Sequence, residues 1–203
     1  MNTADALSRL LAQKRPVIET GMAANLLSQS VSWTSHQLRD LADAGLIAHI
    51  GRGLWSLTSL TDPLVVGSWI TEPDPSYVSL YSALRLHGMI QQLPRTIFVV
   101  STGKTRRRVT EVGTFSIHQI HPVLFGGFDE QRERRIATPE KAVFDVLYLE
   151  RARSGRFRGL TEVELPGRFS APALREWVDR IPDSSHRKHV AKLVADWLDH
   201  HSR

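Results

Sequence analysis

The chain has 203 residues, with 26 Lys and Arg against 21 Asp and Glu, a net charge of +5 and no cysteine. That length holds two modest domains or one larger one, and the charge suits a polyanionic partner. Disulfides and thiolate metal sites are excluded, no apolar run approaches the roughly 20 residues of a membrane span, and the N-terminus lacks a signal-peptide pattern, so a cytoplasmic protein is expected.

Thr3 is placed to cap a first helix over Ala4–Lys14, with Ala6, Leu7, Leu10 and Leu11 on its apolar stripe and Pro16 closing it. A second short helix fits Glu19–Leu27, and Ser28–Gln29–Ser30 forms the turn that follows. From Val31 the spacing Val31, Thr34, Leu38, Leu41, Ala42 turns one helical face inward, and Gly45 stops the helix. Two short apolar runs, Leu46–Ile50 and Leu54–Leu57, then flank Gly51–Arg52–Gly53, which predicts a tight hairpin carrying a cation at its tip. Three helices followed by such a hairpin outline a winged helix-turn-helix over residues 1–62. The third helix would enter the major groove, with Ser32 and Ser35 on phosphates, His36 and Arg39 on base edges or backbone, and Arg52 in a neighbouring minor groove or on a phosphate. Trp33 fits core packing better than base contact. A bland alternative stays open, in which a helical bundle with a hairpin touches no nucleic acid.

Residues 1–62 hold five Lys/Arg against five Asp/Glu, so the whole excess of positive charge lies in residues 63–203. Thr61–Asp62–Pro63 marks the boundary, a helix-like run follows at Leu64–Ile70, and Glu72–Pro73–Asp74–Pro75 is a stiff connector. Tyr77–His87 reads as a helix ended by Gly88. From Thr96 the period changes to two, which predicts strands at Thr96–Ser101, Arg107–Val112, Thr114–Ile120 and Arg134–Ala137. Helices are expected from Thr138–Pro139 to about Glu150, over Ser170–Arg180 and over Ser184–His200. The fold class is α+β, with helices on a small, mostly antiparallel sheet.

Lys104, Thr105, Arg106, Arg107 and Arg108 sit between predicted strands, where the four cations would lie along DNA phosphates or face solvent. Arg151, Arg153, Arg156 and Arg158 make a second basic cluster. Thr138–Pro139–Glu140–Lys141 is foremost a helix start, and Lys141 and Asp145 are four apart, a surface pair worth about 0.2–0.5 kcal/mol. A polar site made of Glu140, Lys141 and Asp145 is the functional alternative. His186 and His189 share a helix face without a placed third ligand, so no metal and no cofactor is expected. No P-loop, nucleophile elbow or zinc-protease motif occurs, and Ser101–Thr102–Gly103–Lys104 lacks the earlier glycine and following helix of a phosphate loop. Glu162 and Glu164 alternate on a predicted short strand without a basic partner. A non-enzymatic protein is expected.

The segments LRDLADAGLIAHIGRGLWSL, YVSLYSALRLHGMIQQLP, VTEVGTFSIHQIHPVLFGG and IATPEKAVFDVLYL follow one another in this chain. In that order the chain resembles the AbiEi family, antitoxin-type transcriptional regulators of bacterial type IV toxin–antitoxin systems. It departs from the usual tyrosine after the wing glycine, having Leu54–Trp55 there. The resemblance implies an N-terminal winged helix joined to a C-terminal antitoxin domain over residues 63–203. It implies binding of double-stranded DNA at inverted repeats in the chain's own promoter, repression of that operon, and neutralisation of a nucleotidyltransferase-like toxin without a stable complex. Direct capping of the toxin by the second domain is the alternative.

Overall fold

The computed structural model describes residues 2–58, 62–92, 95–150 and 163–201. The chain opens with α1 (Thr3–Leu11), β1 (Val17–Glu19), α2 (Thr20–Leu27) and α3 (Val31–Asp43), followed by β2 (Ala48–Gly51) and β3 (Leu54–Ser56). Asn2, rather than Thr3, caps α1, its side chain accepting from the Asp5 amide at 2.7 Å. The helix also ends three residues before Lys14, because the chain must leave it to reach a strand. Lys14 takes a left-handed φ of 52° and the Pro16 carbonyl then accepts from the Leu57 amide at 2.8 Å. That strand, β1, was not expected from the sequence. It pairs antiparallel with β3, giving the order β1-β3-β2.

α3 begins where the sequence places it. The Ser30 side chain accepts from the Trp33 amide at 3.2 Å, one of the four amides that a helix start leaves without a partner. Ser30→Ala is therefore expected to cost about 1 kcal/mol. Equilibrium urea unfolding checks this, and an unchanged midpoint would show that the cap contributes nothing. The helices and hairpin close over one core of Ala6, Leu10, Ile18, Leu27, Leu38, Leu41 and Trp55, with Trp33 packed at its edge.

Next come α4 (Pro63–Trp69), β4 (Ser76–Val78), α5 (Leu80–Leu86), β5 (Ile97–Ser101), β6 (Arg106–Thr110) and β7 (Gly113–Gln119). A short 3-10 turn at Pro122–Leu124 leads to β8 (Phe128–Gln131), β9 (Arg134–Ala137), α6 (Pro139–Leu149), α7 (Ala171–Asp179) and α8 (Ser184–His201). The second sheet runs β6-β7-β5-β4-β9-β8 and is mixed, with three antiparallel and two parallel pairings among the described residues. β5 lies parallel to β7, because β6 takes the edge outside β7 instead of the place beside β5, and β4 lies parallel to β9.

Two readings of the sequence need correction. Tyr77–His87 is not one helix. Tyr77 and Val78 belong to β4, opposite Val100 and Val99, and Leu80, the first residue of α5, has a left-handed φ of 55°. Tyr77 is fully buried, and strand pairing with β5 satisfies its backbone as a helix would, so the helical period seen there was a property of α5 extended too far. The β8–β9 hairpin went unseen because its two-residue turn, Arg132–Glu133, carries positive φ values of 50° and 67° without the Gly or Asn that normally signals such a turn.

Alternation splits the second sheet between two cores. Tyr77, Val100, Ile120, Leu124 and Ala137 pack with α5, α6, α7 and α8. On the opposite face Val99, Phe115 and Ile117 join Val66 of α4 and Ile70 just beyond it, and also Val17, Ile50 and Leu54 of the first sheet. The hairpin strands β2 and β3 thus share apolar burial with residues beyond 62. A side chain such as Phe115, with 0% of its surface exposed, contributes about 1.5–3 kcal/mol in that position.

Candidate functional site

α3 presents a two-faced surface. Thr34, Leu38 and Leu41 are buried, whereas Ser32, His36 and Arg39 are exposed. Their spacing of four and three residues sets Ser32, His36 and Arg39 on one stripe, and half-buried Ser35 lies beside it. The His36 ring meets the Ser32 carbonyl through Nδ1 at 2.8 Å, which orients Nε2 away from the helix backbone. Asp40 and Asp43 are exposed on the same helix, so its surface is polar rather than uniformly cationic.

Arg52 stands at the exposed tip between β2 and β3. Of its two flanking glycines, only Gly53 needs glycine's conformational freedom, with a φ of 66°. The tip is anchored at its far side, where the Thr20 amide donates to the Gly53 carbonyl at 3.0 Å and the Trp55 indole N–H donates to Thr20 Oγ1 at 2.9 Å. Arg52 forms no ion pair among the described residues.

Within the run Lys104–Arg108, Lys104 and Thr105 lie in the loop between β5 and β6, and the strand expected from Arg107 begins one residue earlier. Arg106, Arg107 and Arg108 lie in β6, opposite Ile117, Ser116 and Phe115 of β7. Strand alternation sends Arg106 and Arg108 to the face that packs toward α4 and the first sheet, and Arg107 to the other. Lys104, Arg106 and Arg107 are exposed. Arg108 is engaged, its guanidinium donating to Glu19 Oε1 at 2.8 Å and to the Ile70 carbonyl at 3.0 Å. As a group these cations also charge the sheet edge, which discourages pairing with another chain. The cluster Arg151, Arg153, Arg156 and Arg158 lies outside the described residues, as does Glu162.

The expected surface pair Lys141–Asp145 is instead fully buried, both side chains having 0% exposure. Lys141 Nζ donates to Asp145 Oδ1, while Tyr77 OH and Ser79 Oγ donate to Oδ2 at 2.9 and 2.7 Å. The ammonium also faces the rings of Trp177 at 4.7 Å, Phe144 at 4.8 Å and Tyr77 at 5.5 Å, a cation–π enclosure. α6 is nearly surrounded, with β4 on one side and α7 on another, so the i,i+4 spacing that usually marks a solvated face points inward here. Burial raises the Asp145 carboxyl and lowers the Lys141 ammonium, and their mutual attraction opposes both shifts. Burial also pushes the Tyr77 hydroxyl well up, reinforced by the charge of Asp145 beside it.

Glu140 does not join this pair. Its Oε1 accepts from the Ser170 amide at 2.8 Å, tying the start of α7 to the start of α6. The three candidate residues of the second half are therefore not drawn together: Lys141 and Asp145 pair in the interior, and Glu140 holds the start of α7. Tyr77 and Ser79, which complete the buried network, escaped the sequence reading. They stand 68 and 66 residues before Asp145, and nothing local links them to it. A surface cavity of about 440 Å³ beside the β8–β9 hairpin is lined by Leu86, His87, Arg132 and Arg134 among others, and reaches neither Lys141 nor Asp145. Among the described residues no group of three or more potential metal-ligating side chains converges, and no helix is long and apolar enough to cross a membrane. No family model and no curated protein matches this chain.

Proposed function

We propose that the chain is a DNA-binding transcriptional autorepressor that doubles as the antitoxin of a bacterial type IV toxin–antitoxin pair, acting without catalysis in the cytoplasm. Residues 1–62 are read as a winged helix-turn-helix, with α3 as recognition helix and β2–β3 as wing. The observation that carries this reading is the exposed stripe Ser32–His36–Arg39 on the same small unit as the unpaired cation at the hairpin tip. Three helices followed by a hairpin support this reading, in which one helix would lie in a major groove and the β-finger alongside. Lys104, Arg106 and Arg107 add sequence-independent attraction to phosphates, and Arg108 is engaged by the half-buried contact with Glu19. The antitoxin half of the proposal, with a nucleotidyltransferase-like toxin as functional partner, rests on the resemblance to AbiEi regulators.

The test is binding of the full chain to a duplex from its own upstream region across a salt series. Arg52→Ala is expected to weaken binding and to reduce the slope of log K against log salt by about one, the signature of one lost phosphate contact. No retention of the duplex by the unaltered protein, even in dilute buffer, would end the reading. Co-expression with the toxin tests the second half. Rescue of growth without co-purification agrees with type IV action, whereas a stable stoichiometric complex favours direct capping.

A further inference from the structure

The hairpin that carries Arg52 is gripped from beyond its own unit. The Glu111 amide, in the turn between β6 and β7, donates to the Ile50 carbonyl of β2 at 2.9 Å. One residue on, Gly51 runs so close to Thr110 that a Cβ there would lie 3.4 Å from Thr110 Cγ2 and 3.7 Å from its Cα. His49 Nδ1 also lies 3.5 Å from Glu111 Oε1. Below the turn, Arg108 of β6 holds Glu19, which stands opposite Leu54 in the first sheet. On the far side of the tip Gly53 is held by Thr20. Both residues that bracket Arg52 are therefore fixed, one from α2 and the other from the second sheet.

From this geometry, and resting on the interface reading above, we infer that the Thr110–Glu111 turn is a positioning element for Arg52. The second half of the chain thereby sets where the hairpin tip meets DNA. A two-residue tip projecting from short strands swings when those strands bend. A guanidinium that must meet a phosphate loses binding free energy if it has first to be ordered. Holding β2 against β6–β7 removes that loss in advance. The apolar cluster of Ile50, Leu54, Phe115 and Ile117 makes the hold rigid, since packed interiors transmit displacement rather than absorb it.

A double-mutant cycle on the full chain tests this. Gly51 does not occupy the left-handed region, so substitutions there probe space alone. Gly51→Ala places a methyl group in ordinary contact with Thr110, and its DNA affinity should stay within about twofold of the unaltered chain. Gly51→Val adds branched carbons that push β2 away from Thr110, and its affinity should fall by about tenfold. In an Arg52→Ala background the same Gly51→Val change should cost less than about twofold, since the group it displaces is already gone. Thermal melts of all five proteins distinguish displacement from unfolding: Gly51→Val should melt cooperatively and stay folded at the binding temperature. If Gly51→Val weakens binding equally in both backgrounds, or not at all, the positioning role is overturned while the interface reading stands. If the unaltered chain binds no duplex, the interface reading falls and the inference falls with it.

Discussion

Lys141→Met is expected to destabilise the protein by about 3–5 kcal/mol, because it leaves Asp145 as a buried charge without its counter-ion. For a chain of this size that corresponds to a fall in Tm of roughly 6–20 °C. Methionine has nearly the same length and keeps the contacts with Phe144 and Trp177, so the loss reports the charge and not a cavity. Two companion measurements separate this from a packing effect. In Lys141→Met/Asp145→Asn the orphan charge is gone while an oxygen still accepts from Tyr77 and Ser79, and most of the stability should return. The deficit should also shrink as pH falls. The folded-state pKa of Asp145 is already raised by burial, and removing Lys141 takes away a group that lowers it. A carboxyl raised in the folded state adds no penalty below its unfolded pKa, where both states are protonated. The penalty grows as pH rises from there toward the folded pKa. Urea unfolding of the variant at several pH values checks the sign; a deficit that is constant with pH, or below about 1 kcal/mol, would refute the buried ion-pair account.

Gly127→Ala is expected to cost about 2–5 kcal/mol, by two routes that act together. Gly127 has a φ of 70°, a conformation that strains any residue with a side chain. An added Cβ would also stand 2.5 Å from Trp177 Cζ2 and 3.0 Å from Lys141 Cγ. Neither neighbour can yield freely. Trp177 belongs to the cation–π enclosure, and the Lys141 stem is held between its ring partners and Asp145. The Gly127 carbonyl further accepts from the amide of Thr138, the residue that caps α6, so a shift here propagates to the helix that carries the buried pair. Thermal melting is sufficient to check it. A Tm within about 2 °C of the unaltered protein would mean that the loop relaxes without consequence.

Local chemistry explains which elements were legible. α3 and α6 were read correctly because each has a hydroxyl residue at its N-cap, Ser30 and Thr138, and a regular inward face. The β2–β3 hairpin was legible through two glycines beside alternating apolar residues. By contrast β1, β4 and β8, of three, three and four residues, carry no alternation of their own that marks them, although β3 and β9 are just as short. β1 and β4 are decided by partners far along the chain, β3 for the one and β5 and β9 for the other, whereas β8 pairs with β9 across a turn that lacks Gly or Asn. The same holds for site residues. Ser32, His36 and Arg39 share a stripe because helical spacing is local, and that stripe is visible in the sequence. The direction in which β6 presents Arg106, Arg107 and Arg108 depends on its register with β7, which no local pattern encodes.

Composition and periodicity by themselves established a mixed α+β chain whose first sixty residues hold three helices and a cation-tipped hairpin. Those features follow from residue spacing within a few turns of backbone. Tertiary structure alone decided that the Lys141–Asp145 pair is interior, that Tyr77 and Ser79 complete it, and that Arg108 holds Glu19. It also decided that the Thr110–Glu111 turn grips the hairpin. Each of these depends on which surfaces meet. An i,i+4 pair has the same spacing on a solvated helix as on an enclosed one, and only the packing of β4 and α7 around α6 settles whether its charges face water or one another.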